Sequence, residues 1–220
     1  MTLPGVIFDM DGLLLDTERL CLDAFVQARR AFSLPDSPDI YLSCVGMHAM
    51  ACTEIMTKSL NDTARLDDFN REWDRRIDEA IEEGVPVKTG AIELLQILTE
   101  NGHPLAVATS TRTTTALKRL EGCGLHSYFK SVVGGDQVSK HKPDPEPYQA
   151  AAASLGFHAQ DCIAFEDTDT GVRSAVASGA MTVQVPDLVP PSEAVRALGH
   201  LIAPNLIAGA TAAGLLKEKA

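Results

Sequence analysis

No stretch of this chain approaches the roughly 18 apolar residues that a membrane-spanning helix needs, and no positive segment at the N-terminus leads into an apolar run. Membrane insertion and secretion are therefore not expected, and the sequence reads as cytoplasmic. Clusters of lysine and arginine are missing too. With 30 acidic against 19 basic residues the formal charge is −11, which repels nucleic acid and anionic membrane surfaces alike. The five cysteines, Cys21, Cys44, Cys52, Cys123 and Cys162, are odd in number and form no Cys-x-x-Cys pair. A disulfide framework is not supported, and they read as small apolar side chains in a reducing compartment. Low-complexity segments, blocks of like charge and internal repeats are all lacking.

What is there is a chain of 220 residues, 45% hydrophobic and 22% charged. That suffices for a sizeable core, in one domain or in a core domain carrying an insertion. Short apolar runs recur at 6–8, 105–109, 131–135, 162–166 and 181–185. They are apolar throughout rather than alternating, as strands covered on both faces are. Helix-like segments lie between them at 91–100, 113–121, 146–155 and 171–178. The alternation predicts an α/β fold with a doubly wound parallel sheet. One interval departs from it. Between 18 and 86 no strand candidate occurs, and the segment reads as amphipathic helices broken at Ser33–Asp39, with Trp73 in their packing and Arg75 and Arg76 on a solvated face. The expected organisation is a core of residues 1–17 and 87–220, with a small helical cap of residues 18–86 inserted after the first strand.

In an open parallel sheet, ligands bind beyond the carboxyl ends of the strands. The polar residues of this chain fall there. Asp9 and Asp11 end the first strand, Thr109 and Ser110 the second, and Glu166 and Asp167 the fourth; Lys142 follows the third, before prolines that stiffen its loop. Asp9, Glu166 and Asp167 offer hard oxygen ligands of the kind Mg²⁺ prefers, and such an ion supplies the cation that an anionic substrate needs on an acidic protein. Lys142 is a point charge suited to phosphate. Thr109, with the backbone N–H groups after it, can face phosphate oxygens. Gly12 permits the tight turn that lets Asp9 and Asp11 face one cavity. A calcium loop is excluded, because its fifth and sixth positions would fall on Leu13 and Leu14. Asp9, which ends the strand, is the candidate nucleophile, and Asp11 the candidate acid/base. Glu18 and His48, in the expected cap, are candidate substrate contacts. The remaining histidines have no second ligand at metal spacing and read as structural.

In these residues the chain resembles the haloacid dehalogenase superfamily, in its subgroup with a helical cap after the first motif. DMDGLLLDTE (9–18) is similar to the first motif, Thr109 in AVATST to the second, Lys142 in HKPDP to the third and FEDTDTG (165–171) to the fourth. The resemblance covers about residues 5 to 190 and implies the sheet order 3-2-1-4-5. It implies a phosphoenzyme on Asp9 and Mg²⁺ held by Asp9, the Asp11 carbonyl and Asp167, with Glu166 assisting directly or through water. A cis bond before Pro143 belongs to the same pattern. Two departures bear on substrate. The phosphomutase branch has a cap-linker histidine where this chain has Cys21, and a phosphate-gripping arginine where it has Ala49. The expectation is a Mg²⁺-dependent phosphatase of a small phosphorylated metabolite, a sugar phosphate or a phosphoglycolate-like compound. A phosphomutase and a non-catalytic phosphoacceptor module are the alternatives. No nucleic-acid or membrane partner is expected, and a monomer is compatible with the pattern.

Overall fold

Burial on both faces explains why the first strand is pure Val-Ile-Phe. In the computed structural model, which describes residues 3–45, 49–60 and 64–217, Val6, Ile7 and Phe8 have no solvent exposure at all. Strands β1 (Gly5–Phe8), β2 (Leu105–Ala108), β3 (Ser131–Val133), β4 (Cys162–Glu166), β5 (Met181–Gln184) and β6 (Leu201–Ile202) form one sheet in the order β3-β2-β1-β4-β5-β6. Every pairing is parallel. The expected order 3-2-1-4-5 is therefore present, with the short β6 added at the edge. Register places Phe8 opposite Phe165, and their rings stack at 5.0 Å. Since β1 is flanked by β2 and β4, its carboxyl end lies where chain segments on both sides can deliver side chains.

The chain divides into two compact units, Met1–Leu15 with Pro86–Ala220, and Asp16–Val85. The second is built from helices α1 (Thr17–Ala31), α2 (Pro38–Cys44), α3 (Ala49–Leu60) and α4 (Ala64–Glu83). Its centre is aromatic: Phe25 lies 5.4 Å from Trp73, 5.7 Å from Phe69 and 5.9 Å from Tyr41, ring centre to ring centre. Trp73 keeps its indole N–H satisfied inside this packing by donating to the Cys21 carbonyl at 3.0 Å. Arg75 pairs with Glu72 and Glu79 on the exposed side of α4.

The first unit carries α5 (Ala91–Glu100), α6 (Thr113–Gly122), α7 (Glu146–Ser154), α8 (Asp169–Ser178), α9 (Glu193–Arg196) and α10 (Leu206–Ala212). On α5 the buried residues are Ala91, Leu94, Leu95 and Leu98, one helical stripe. Against α7 the sheet is lined by small side chains, Ala106, Ala108 and Ala164 beside Ile7, and the helix answers with Ala151 and Ala152. Helix α8 starts on Thr168, whose hydroxyl accepts from the Gly171 N–H, and stops at Gly179 in the left-handed region at φ 91°.

Candidate active site

The site grows from the carboxyl ends of β1 and β4. The Asp9 N–H donates to the Phe165 carbonyl at 3.0 Å, so the ladder continues one residue past β1 and fixes where the side chain leaves. Beyond it the chain turns sharply. Gly12 sits at φ 83°, a conformation other residues adopt only with strain, and its N–H donates to the Leu15 carbonyl at 2.8 Å. Asp9 is buried at 7% exposure, and Asp11 lies on the more open side of the turn.

Lys142 joins the two strand ends. Its ammonium lies 2.5 Å from Asp9 Oδ1 and 2.6 Å from Glu166 Oε1, and 5.1 Å from the centre of the Tyr148 ring. The peptide bond before Pro143 is cis, as the resemblance implies. Glu166 is fully buried and heavily hydrogen-bonded. Oε1 accepts from Lys142 and from the Tyr148 hydroxyl at 2.7 Å, while Oε2 accepts from the Asp167 N–H, the Thr168 N–H and the Thr168 hydroxyl. With five donors on it, Glu166 anchors the lysine and the loop into α8. Gly171 is required by this arrangement, because a Cβ there would come within 1.8 Å of Glu166 Oε1.

Burial pushes the Asp9 carboxyl up to about 8; Lys142 opposes the rise, and Glu166 and Asp11 add to it. Burial would by itself lower Lys142, but the charges of Asp9 and Glu166 overcome it and hold the ammonium above its usual value. Both directions have one origin: several carboxylates share a single ammonium. Carboxylate oxygens of Asp9, Glu166 and Asp167 lie within 4.8 Å of one another. Counted formally, four carboxylates (those three and Asp11) face two cations, Lys142 and Arg119. A divalent cation with oxygen preference balances the set, so the donors fit Mg²⁺.

Asp11 is held by α6 and by the turn before it. Arg119 Nη1 donates to Oδ1 at 2.8 Å and the Thr111 hydroxyl to Oδ2 at 2.7 Å, with the Thr109 hydroxyl at 3.5 Å from the same oxygen. Thr109 is buried, and its oxygen accepts the Thr111 N–H at 3.1 Å. Ser110 is exposed on the turn, its carbonyl packed where a Cβ on Gly135 would come within 2.5 Å.

Of the sequence candidates, Asp9, Lys142, Glu166 and Asp167 thus meet in one buried cluster, with Asp11 and Thr109 connected to it and Ser110 at the neighbouring turn. Glu18 belongs to the second unit, on α1, where it accepts from the Tyr41 hydroxyl at 2.7 Å. His48 lies outside the described residues. Sequence reasoning passed over Tyr148, Thr111 and Arg119. Tyr148 and Thr111 sit next to recognised motif residues, whereas Arg119 is one basic residue on an ordinary helix.

Comparison with known proteins adds the following. The family model described as haloacid dehalogenase-like hydrolase matches residues 6–185. A phosphorylated carbohydrates phosphatase of Thermotoga maritima is 32% identical over 175 residues, 80% of this chain and 81% of that protein. The fructose-1-phosphate phosphatase YqaB of Escherichia coli is 29% identical over 187 residues, 82% of this chain and 95% of that protein. A crystal structure of a hydrolase from Deinococcus radiodurans, with bound phosphate and sodium, superposes with a TM-score of 0.82 at 23% identity, covering 99% of each chain.

Proposed function

The chain belongs to the haloacid dehalogenase-like hydrolase family, and from that premise we propose that it is a magnesium-dependent phosphatase of small phosphorylated metabolites, sugar phosphates first among them. The observation that carries the reading is the Lys142 bridge between Asp9 and Glu166, at 2.5 and 2.6 Å, with Asp167 beside it at the carboxyl end of the sheet. The two phosphatases named above act, by their names, on phosphorylated carbohydrates and on fructose 1-phosphate, which motivates the substrate class.

Asp9, the Asp11 carbonyl and Asp167 would hold the magnesium, with Glu166 supporting them. When bound, the ion supplies positive charge that lets Asp9 ionise and offsets the charge of the phosphoryl oxygens. Asp9 then attacks phosphorus: its Oδ–P bond forms, the bond from phosphorus to the substrate oxygen breaks, and Asp11 gives that oxygen a proton. In the second step Asp11 takes a proton from water, the water oxygen bonds to phosphorus, and the bond to Asp9 breaks, releasing phosphate. Lys142 fixes Asp9 throughout, and the Thr109 hydroxyl and the N–H groups after it meet the phosphoryl oxygens. Cys21 and Ala49 stand where a mutase would need a histidine and an arginine, which favours hydrolysis over transfer between two positions of one sugar.

The test is phosphate release from a panel of sugar phosphates, phosphoglycolate and nucleotides, with Mg²⁺ and with chelator. Metal-dependent release is expected, and Asp9→Asn should lower kcat by at least about 10⁴-fold while leaving the circular dichroism spectrum unchanged. Silence on every monoester, with interconversion of a hexose 1-phosphate and 6-phosphate, would overturn the hydrolytic reading in favour of the mutase.

A further inference from the structure

Asp11 is gripped from two sides, by Thr111 at the end of the second motif and by Arg119, which lies outside all four. Arg119 Nη1 reaches Oδ1 at 2.8 Å from α6, 108 residues further along the chain, and the Thr111 hydroxyl reaches Oδ2 at 2.7 Å. One donor on each oxygen fixes the plane of the carboxylate. The Arg119 side chain is only 16% exposed, and its Nε is buried with no hydrogen-bond partner among the described residues. Among the described residues, Asp11 is the one acidic partner of its guanidinium. Burying most of an arginine beside one carboxylate is costly when the rest of α6 offers solvent, because charge leaves water without full compensation. The cost makes sense if the contact serves Asp11.

We propose that Arg119 is the positioning residue of the acid/base, fixing the orientation of the Asp11 carboxylate for the steps in which it exchanges a proton. This rests on the assignment of Asp9 and Asp11 given above. With one donor on each oxygen, the Asp11 carboxylate keeps a single orientation toward the oxygens with which it exchanges a proton. Arg119 therefore serves the steps that use Asp11 and leaves untouched a step that does not. With a substrate whose leaving group departs unprotonated, the only step that uses Asp11 is the hydrolysis of the phosphoenzyme. A merely structural ion pair between α6 and the β1 turn would not separate the two steps.

The probe is p-nitrophenyl phosphate, whose leaving group departs without a proton, so that kcat/KM reports phosphoenzyme formation with little demand on Asp11 while kcat reports hydrolysis. For Arg119→Gln, kcat is expected to fall by about tenfold or more with kcat/KM within about twofold of the parent. Acid-quenched protein should carry more phosphate in the steady state than the parent does. Arg119→Lys, which keeps a cationic donor, should recover much of the lost kcat. Unchanged kinetics in Arg119→Gln, a parallel fall of kcat and kcat/KM without phosphoenzyme build-up, or no recovery in Arg119→Lys would each overturn the assignment. Should Arg119→Gln fail to fold, Thr111→Val compared with Thr111→Ser reads the same split from the other carboxylate oxygen, and its absence there also overturns the proposal. A parent enzyme that forms no phosphoenzyme at all would instead overturn the underlying functional reading.

Discussion

Replacing Lys142 with methionine keeps most of the side-chain volume and removes the charge. The ammonium is 7% exposed and holds Asp9 at 2.5 Å and Glu166 at 2.6 Å. Without it, two buried carboxylates face each other, one of them already pushed up to about 8 by burial. Removing one partner of a buried ion pair costs about 3–5 kcal/mol. Asp9 can relieve the strain by binding a proton, which sets the sign of the pH dependence. Burial holds its carboxyl above the value it has in the unfolded chain, so folding takes up a proton. The penalty is then full at pH above the raised folded value, shrinks as the pH falls through it, and is gone near the unfolded value of about 4. The assay is urea unfolding followed by circular dichroism, with chelator present, at pH 9 and at pH 6. With an m-value of about 2–3 kcal/mol/M, Lys142→Met should lower the midpoint by about 1–2 M at pH 9 and by clearly less at pH 6. A variant as stable as the parent, or a penalty equal at both pH values, would refute the view that Lys142 neutralises a buried acidic pair.

Gly171→Ala places a methyl within 1.8 Å of Glu166 Oε1 and must drive that carboxylate off Lys142 and Tyr148. The Mg²⁺ concentration for half-maximal phosphate release should rise by about tenfold or more, and an unchanged metal requirement would show that Glu166 does not support the metal ligands. Burial lowers the pKa of His200, with Asp169 opposing, while its Nε2 lies 2.8 Å from Gln184 Oε1. The stability gained by keeping it neutral is present above the unfolded value of about 6.5 and fades as the pH falls below it. His200→Gln should therefore flatten the loss of stability between pH 7.5 and pH 5.5 in urea titrations. The same slope in both proteins would exclude His200 as the group responsible.

The strands were legible because burial leaves a simple mark. Val6-Ile7-Phe8 and the run at 162–166 are apolar without alternation, which only two-sided cover tolerates. The pair Leu201–Ile202 left no such mark: two residues at the sheet edge, both partly accessible, are too short to show a period. The carboxylates of the cluster were legible for a related reason, since an acid at the end of an apolar strand has few places to go except the ligand edge; Lys142, well after β3, was legible through its place in HKPDP. Arg119 was not. In TTTALKRLEG it is one basic residue of two on a common amphipathic helix, and only the folded chain brings it to Asp11. Tyr148, in the first turn of α7 and just past the third motif, was passed over for a different reason, because a buried tyrosine normally reads as packing.

The central position of β1 also carries a consequence for biosynthesis. The lysine that neutralises Asp9 follows 133 residues later in synthesis, and both neighbours of β1 in the sheet are translated long after it. At about 5–20 residues per second, Asp9 waits roughly 7–27 s for its counter-charge. During that time Val6-Ile7-Phe8 has no sheet to join. The nascent chain thus presents a short, sticky, unpaired segment that nascent-chain chaperones can hold, and a ribosome-bound fragment ending before residue 142 should possess no hydrolytic centre.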